Sequence, residues 1–314
     1  SKVLKYFFKK LVICFLSLFV VMSATFFLMK AIPGDPFSSE QNMPKEVLKS
    51  LNVHYGLDKP LLYQYIKYLK GFFTFDLGPS LIYEGREVFE IIKDGLPITM
   101  MLGFESLIIS LTTGLILGCL AAIKKDKWQS SFVTIFAIIG ISVPNFLFAS
   151  LLQYFFAMKL HLFPIARFES FLHSILPAVA LASLPTAYIA RLMKTSMIEV
   201  LSKDYIKTAK AKGLSTFDVI FKHAFKNAIL PVVSYLGPLS AHVLTGSFVI
   251  EKIFSIPGIG MWLVSSISAR DYPVIIGLSV FYSFILIMIM FFLDIIYKLI
   301  DPRIDIENAD RKGS

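Results

Sequence analysis

Six long apolar segments constrain the fold of this chain more than any other feature. Each approaches or exceeds the roughly 20 residues that an α-helix needs to cross a bilayer. They are Leu11–Met29, Ile98–Ile123, Phe132–Met158, Leu172–Leu192, Ala228–Ile250 and Val274–Ile296. Hydrophobic residues make up 56% of the chain and charged residues only 17%, which is the balance of a membrane protein. The sequence therefore predicts an all-α integral membrane protein with six transmembrane helices.

The first segment and the two cysteines do not change this prediction. The apolar run of the first segment is longer than that of a signal peptide, and no small-x-small cleavage motif follows it, so we expect a retained helix. Cys14 and Cys119 both lie inside apolar segments. We expect them to pack as small apolar side chains, because a disulfide framework or a zinc site needs a different pattern.

Lysine and arginine are unevenly distributed among the segments that connect the six helices. The two short loops on one side hold only Lys159, Arg167, Lys252 and Arg270, whereas the other side carries most of the basic residues. Cytoplasmic flanks of membrane helices are enriched in basic residues. We therefore expect both termini and the loop at 199–226 to be cytoplasmic. The net charge of +9 follows from this bias, and no nucleic-acid partner is expected, because few aromatic residues are interleaved with the basic ones.

The longest strongly polar stretch in the second half of the chain runs from Glu199 to Pro231. Its pattern predicts a short helix from Asp204 to Lys212, with Ser202 as the N-cap and Gly213 just past the end. Ser215 and the residue three positions later, Asp218, form a capping-box pattern that opens a second helix.

The short helix also carries an ordered surface. On a helical wheel, Lys203, Lys207 and Lys210 share one stripe, beside a second stripe that contains Ile206, Ala209 and Gly213. A solvated linker needs no such order, so we predict that a partner docks here. The alternative is a solvated loop whose positive charge only marks the cytoplasmic side.

This stretch resembles the cytoplasmic EAA loop of ABC-importer permeases, in the form used by the dipeptide and oligopeptide branch. The matching residues are Tyr205, Thr208, Ala209, Ala211, Lys212, Gly213, Leu214, His223, Ala224, Asn227, Ala228, Leu230 and Pro231. Lys207 and Thr208 stand where the general consensus has Glu and the first Ala, and the Leu-Pro pair comes later than in that consensus. The peptide branch shares these departures, so they narrow the subfamily.

Further motifs extend the resemblance over nearly the whole chain. They are the P-G-D-P turn at 33–36, G-L-D-x-P at 56–60, D-L-G-x-S at 76–80, F-x-x-P-G-x-G at 254–260, R-D-Y-P at 270–273 and D-P-R at 301–303. The resemblance implies the type I ABC importer permease fold, with an extracytoplasmic segment after the first helix. It divides the chain into 1–94 (first helix and outer segment), 95–300 (five-helix permease core with a coupling loop at 193–227) and 301–314 (cytoplasmic tail).

By the same resemblance, the chain is the pore-forming permease subunit of an ATP-driven importer in a bacterial plasma (inner) membrane. It would import di- or oligopeptides delivered by an extracytoplasmic substrate-binding protein. Its other partners would be a homologous second permease subunit in a heterodimer, two ATP-binding cassette ATPases and membrane lipid. The chain lacks the G-x-x-x-x-G-K-[ST] phosphate loop. We expect no catalytic, cofactor or metal residues in it, with ATP-Mg bound by the partner ATPases.

Residue roles follow from these expectations. The coupling helix that would seat on an ATPase comprises Asp204, Tyr205, Ile206, Thr208, Ala209, Ala211, Lys212, Gly213 and Leu214. The small residues Ala209 and Gly213 would permit close seating. Asn145 and Gln153 lie in apolar segments, and we expect them to face the protein interior or a pathway, because lipid would leave their amides unpaired. His242 is a further candidate for the pathway, although a single histidine in a membrane helix is more often hydrogen-bonded packing.

Several alternatives remain open at this point. An amphipathic helix that begins near Asp58 lies either on the outer membrane surface or against a partner protein. The same scaffold resembles permeases for nickel, metal chelators, opines or glutathione. An ion-coupled secondary transporter would show inverted repeats or charges at membrane depth, and an intramembrane enzyme would show a catalytic pair there. Neither pattern is evident in the sequence.

Overall fold

The computed structural model describes residues 2–33, 45–83 and 85–300. These residues form α-helices with two π-helical turns and no named strand. The helices are α1 (Lys2–Ala31), α2 (Lys45–Tyr55), α3 (Leu61–Thr74), α4 (Val88–Ile123), α5 (Trp128–Ser142), α6 (Asn145–Leu152), α7 (Leu172–Leu201), α8 (Asp204–Ala211), α9 (Thr216–Asp218), α10 (Phe225–Ala228), α11 (Leu230–Ile253), α12 (Ile259–Ala269) and α13 (Tyr272–Ile300). The π-helical turns are Gln153–Lys159, after α6, and Val219–Ala224, after α9.

Five of these helices are long and apolar enough to cross a membrane. They are Leu4–Ala31, Val88–Ile123, Leu172–Leu201, Leu230–Ile253 and Tyr272–Lys298. The predicted third span is not a single helix: Trp128–Ser142 and Asn145–Lys159 meet at 105°. Pro144 explains the break, because a residue before proline avoids the helical region, and Val143 has the extended angles φ −84 and ψ 121. The six predicted spans are thus five continuous helices and one broken pair.

Two predicted boundaries can be compared with the helices. The P-G-D-P turn falls just after α1 ends at Ala31, although its residues 34–36 lie outside the described part of the chain, as does the tail at 301–314. The division between residues 94 and 95 falls inside α4, which begins at Val88 and contains Pro97. The domain division stays a prediction.

The chain forms two compact units. The first contains Ser1–Ile98 and Pro257–Phe291. Its apolar core joins Leu18 and Met22 of α1 to Val280 of α13, and α3 adds Tyr68, Leu69 and Phe72. The predicted amphipathic helix of the outer segment is therefore present as α3.

The second unit contains Thr99–Ile256 and Phe292–Ser314, and α7 lies at its centre. Helices α5, α6 and α11 all contact α7. Helix α4 also approaches α7 closely, because two of its residues at the contact are glycines. A Cβ at Gly114 would lie 2.7 Å from the Cβ of Ile189, and one at Gly118 would lie 2.6 Å from that of Met193. Small residues let membrane helices pack closely in this way.

We expect Gly118→Ala to destabilise the protein by about 1–3 kcal/mol, because the added methyl group overpacks a fixed interface. The new Cβ would also meet the carbonyl oxygen of Ala190 at 2.7 Å, and backbone cannot move as a flexible side chain can. Gly103→Ala, in the same helix, is the matched control, since its Cβ would meet Val243 at an ordinary 3.5 Å. The apparent melting temperature in detergent measures both. An equal or higher value for Gly118→Ala would contradict the close packing.

Candidate functional site

The polar stretch after α7 is a folded loop. Helix α7 ends at Leu201, and the Ser202 hydroxyl donates a hydrogen bond to the carbonyl oxygen of Glu199 at 2.6 Å. Ser202 therefore caps the C-terminus of α7. Its predicted role as the N-cap of the next helix is wrong, because Lys203 precedes α8 without a side-chain cap. Only two residues separate the two helices, so α8 is tightly connected to a membrane span.

One face of α8 is buried in the chain itself. Ile206 is fully buried and Ala209 is 6% exposed. These residues are three positions apart and therefore share a face of the helix. Helix α8 contacts the π-helical turn Val219–Ala224, in which Val219 and Ile220 are also buried. The expectation that Ala209 would be open for close seating of a partner is wrong, because that face holds α8 on its own protein.

The remaining predicted residues of the helix are exposed. They are Asp204, Tyr205, Thr208, Ala211, Lys212, Gly213 and Leu214. The structure thus separates the nine predicted residues into two inward anchors and seven outward positions. One face of α8 is therefore held on its own chain, and the opposite face is exposed.

Gly213 ends this helix as predicted. Its φ is +80, in the left-handed region that favours glycine, and its N–H donates to the carbonyl oxygen of Lys210 at 3.0 Å. No atom lies within 4 Å of the position that a Cβ would occupy. Within this chain glycine is therefore required by backbone conformation and not by space.

The second half of the loop begins with the predicted cap. The Ser215 hydroxyl accepts from the N–H of Asp218 at 3.1 Å and donates to its carboxylate at 2.7 Å. Lys222 lies 2.6 Å from the same carboxylate. Its hydrogen bond, with that of Ser215, lowers the pKa of Asp218 below the ordinary value. The helical start at Ser215 is therefore well fixed.

A hydrogen bond links the two halves of the loop. The side-chain amide of Asn227 donates to the Tyr205 hydroxyl at 2.9 Å. Both residues belong to the motif matched from the sequence, but 22 positions separate them, and their contact was not predicted. This bond attaches the outward face of α8 to α10, and so to the segment that leads into α11.

Sequence reasoning missed an aromatic part of this surface. Phe217 is 66% exposed and Phe221 is 52% exposed, and their ring centroids are 4.4 Å apart. Leu214 adds a further exposed apolar side chain. Spacing of four residues on a helix was the available signal. We call Tyr205, Thr208, Lys212, Leu214, Phe217 and Phe221 the loop surface. Exposed apolar side chains that pack on one another, as Phe217 and Phe221 do, are typical of interaction sites.

The predicted basic stripe is partly neutralised by nearby acids. Lys203 lies 3.2 Å from the carboxylate of Glu199, and Lys207 lies 2.8 Å from that of Asp204. Lys210 makes no ion pair within the described ranges. These exposed pairs contribute little stability. The basic stripe is therefore a weaker recognition feature than the apolar part of the loop surface.

The three candidate residues for the pathway occupy two places. The amide nitrogen of Asn145 lies 2.9 Å from where a Cβ of Gly246 would be, one helical turn from His242 on α11. The Nε2 atom of His242 is buried and has no hydrogen-bond partner among the residues described. By contrast, the Gln153 amide donates to the carbonyl oxygens of Ile165 at 2.8 Å and Ile253 at 3.3 Å. Gln153 thus ties down a loop, while a pathway role for all three stays a prediction.

Residues 114–306 match the family model described as the binding-protein-dependent transport system inner membrane component. That match spans more than half of the chain. The chain belongs to this family. Residues 3–103 match the corresponding N-terminal model. In the part of the chain that the structure describes, no group of three or more His, Cys, Asp or Glu residues comes together to hold a metal ion.

Individual relatives of this inner-membrane component are similar over nearly their full length. The chain is 50% identical over 288 residues to the dipeptide transport system permease protein DppB of Bacillus subtilis (strain 168). That alignment covers 92% of this chain and 94% of the relative. It is 37% identical over 303 residues to the oligopeptide transport system permease protein OppB of Haemophilus influenzae. That alignment covers 96% of this chain and 99% of the relative. A solved structure described as inward-facing conformations of the MetNI methionine ABC transporter matches with a TM-score of 0.49 and 16% identity, over 68% of this chain and 94% of that one.

The family match and the apolar helices confirm the predicted fold class, an all-α membrane permease of the type I ABC importer kind. The chain is an inner-membrane component of a transport system, and systems of this family work with ATPases and a substrate-binding protein.

Proposed function

We propose that this chain is a pore-forming subunit of an ATP-driven importer of dipeptides or longer peptides. The names of the two relatives support the substrate class. The observation that carries the mechanism is the division of α8 into buried anchors, Ile206 and Ala209, and an exposed face. A partner ATPase docks on the loop surface, and ATP-Mg binds to that partner. No structural observation favours nickel, metal chelators, opines or glutathione.

The loop is built to pass movement to two membrane spans. Helix α8 follows α7 after a two-residue connection, and the bond from Asn227 to Tyr205 couples its exposed face to the segment before α11. A push on α8 therefore acts on both α7 and α11, which contact each other in the second unit. Movement of these spans opens the pathway that this chain forms with a homologous second permease subunit. A substrate-binding protein delivers the peptide from outside.

Affinity purification from mild detergent, with identification of the copurifying proteins, tests the proposal. We expect a P-loop ATPase and a second permease, together with ATP-dependent uptake of a radiolabelled dipeptide in reconstituted vesicles. Purification of the chain alone, with uptake that follows an ion gradient and ignores ATP, would instead identify a secondary transporter.

The proposed orientation places both termini and the loop surface in the cytoplasm. In a variant that lacks Cys14 and Cys119, a cysteine at Lys210 should react with a membrane-impermeant maleimide only after the membrane is opened. Both native cysteines are only partly buried, so they must be removed first. A cysteine at the exposed Lys59 is the control and should react in intact cells. Labelling of Lys210→Cys in intact cells would overturn the orientation.

We expect Gly213→Ala to lower ATP-driven uptake several-fold without changing membrane insertion. The left-handed conformation costs a residue with a Cβ about 1–2 kcal/mol of conformational free energy, so the end of α8 would shift. Gly213→Asn is the matched control, because asparagine adopts this region more readily although it is larger. Uptake with Gly213→Asn should therefore exceed that with Gly213→Ala. An equal loss in both variants would show that the partner surface excludes any side chain, and would contradict the conformational explanation.

A further inference from the structure

A cavity of about 940 Å³ lies in the first unit, well away from the loop surface in sequence. Its described walls come from the end of α1, the end of α2, most of α3 and the start of α13. Helices α1 and α13 are both membrane spans. The cavity therefore opens where two spans meet the boundary between the bilayer and water. Its volume lies within the range of sites that hold small organic ligands.

Positive charge predominates in this cavity. Lys30, Lys67 and Lys70 line it, and Asp76 is the one acid among the described lining residues. None of these three lysines forms an ion pair within the described residues. A ligand with negative charge would balance the three lysines, which outnumber the single acid of the described walls.

One of these lysines is held in place by a neutral group. Lys30 Nζ donates to Oε1 of Gln64 at 2.6 Å. The amide nitrogen of Gln64 donates in turn to the carbonyl oxygens of Lys59 at 2.7 Å and Leu57 at 3.2 Å. Gln64 is thus fixed by the turn that precedes α3 and orients the ammonium group without neutralising it. The ammonium group of Lys30 is thus positioned, and no described residue forms an ion pair with it.

The apolar part of the wall distinguishes a lipid from a free anion. Phe26, Met29 and Ile276 line the same cavity, and they belong to the ends of the two spans. On α3, Leu62 and Ile66 are exposed, so this helix presents an apolar surface near the cavity. Acyl chains can lie against such a surface while a headgroup lies among the lysines, whereas a free phosphate would gain nothing from it.

We propose that this cavity binds the phosphate headgroup of an anionic membrane lipid. Lys30 and Lys67 neutralise the phosphate. Basic pockets beside membrane helices recognise lipid headgroups by charge in the same way. The bound lipid would hold α1, α3 and α13 together at the membrane surface. This site requires only that the chain is in a membrane, so it does not depend on the proposed substrate.

The test measures lipid retention by native mass spectrometry. The full chain is purified from nanodiscs that contain phosphatidylglycerol and phosphatidylcholine in equal amounts. We expect preferential retention of phosphatidylglycerol. Lys30→Ala combined with Lys67→Ala should lower its retention at least fivefold. Lys93→Ala removes an exposed lysine of the same unit that does not line the cavity, and it should leave retention unchanged.

Three outcomes decide the matter. Equal retention of phosphatidylglycerol by the wild type and the double variant would overturn the site, as would an equal loss with Lys93→Ala. Lys67→Ala alone removes an exposed side chain with no ion pair in the described chain, so a folding defect in the double variant would leave this single variant as the deciding measurement. Titration of inorganic phosphate into phosphatidylcholine nanodiscs separates the two anion sources. Binding of phosphate as tight as that of phosphatidylglycerol would show a phosphate site and would contradict the lipid.

Discussion

Replacing Ile206 by aspartate will abolish ATP-driven uptake while the chain remains in the membrane. Ile206 is fully buried on the inward face of α8, and no lysine or arginine among the described residues is buried with it. An unpaired carboxylate at that position would cost several kcal/mol, more than the contact of one short helix can offset. Helix α8 would then lose its packing on the π-helical turn Val219–Ala224, and the loop surface would lose its shape. Insertion should be normal, because the position lies outside the membrane spans.

Two variants show whether this loss comes from the buried anchor. Ile206→Val removes one methylene group at a cost of about 0.5–1.5 kcal/mol and should keep most of the uptake. Lys210→Asp places the same new carboxylate on the exposed side of the helix, where it should reduce uptake less than twofold. Uptake and copurification of the partner ATPase are measured in parallel. Wild-type copurification with Ile206→Asp would show that α8 does not need this packing, and would contradict the lever mechanism.

The sequence predicted the existence of α8 but not which way it faces. Glycine at position 213 marked the end of the helix, because few other residues adopt its φ of +80 readily. The wheel showed that Ile206 and Ala209 share a stripe, and that stripe was assigned to a partner. Only the π-helical turn Val219–Ala224, folded beneath it, shows that the stripe faces inward. Orientation depends on a contact between segments, and periodicity within one segment does not contain it.

The same limit applies to the membrane spans. Hydrophobicity is continuous from Phe132 to Met158, so the sequence predicted one span there. Pro144 interrupts this run, and the two halves meet at 105° while α5 and α6 each pack on α7. Composition measures whether a segment tolerates lipid. It does not measure the direction that the backbone takes after a proline.

Asp271 gives the clearest case of sequence motifs whose relation only the structure reveals. D-L-G-x-S at 76–80 and R-D-Y-P at 270–273 were separate signals in the sequence. In the first unit, the Ser80 hydroxyl donates to the Asp271 carboxylate, and the backbone N–H of Leu81 donates to it at 3.1 Å. A third donor is the N–H of Ile82 at 3.4 Å. Asp271 is fully buried and Ser80 is 4% exposed, so water does not replace the carboxylate as the partner of the Ser80 hydroxyl.

We therefore expect Asp271→Ala to destabilise the first unit by about 3–5 kcal/mol. Each buried donor left without an acceptor costs about 1–3 kcal/mol. The substitution removes the acceptor of the Ser80 hydroxyl and of the Leu81 N–H, whereas the Ile82 N–H keeps the Ser80 hydroxyl at 3.3 Å. Ser80→Ala removes one of these donors and should cost less. Asp271→Asn keeps an acceptor oxygen and the shape of the side chain, so its effect should fall between the other two. The apparent melting temperature in detergent orders the three variants.

Trp262 offers a local measurement that separates this clamp from general instability. Its ring lies 4.9 Å from that of Tyr83 in a T-shaped contact, and the guanidinium of Arg86 lies 5.5 Å from its centroid. Tyr83 and Arg86 follow closely after Ser80, Leu81 and Ile82, the residues that donate hydrogen bonds to Asp271. In a Trp128→Phe background, Asp271→Ala should expose Trp262, shift its emission to longer wavelength and increase its quenching by iodide at temperatures below the melting transition. Gly103→Ala should change none of these. Unchanged Trp262 fluorescence with Asp271→Ala would show that the segment is held by other contacts, and that the two motifs need not act together.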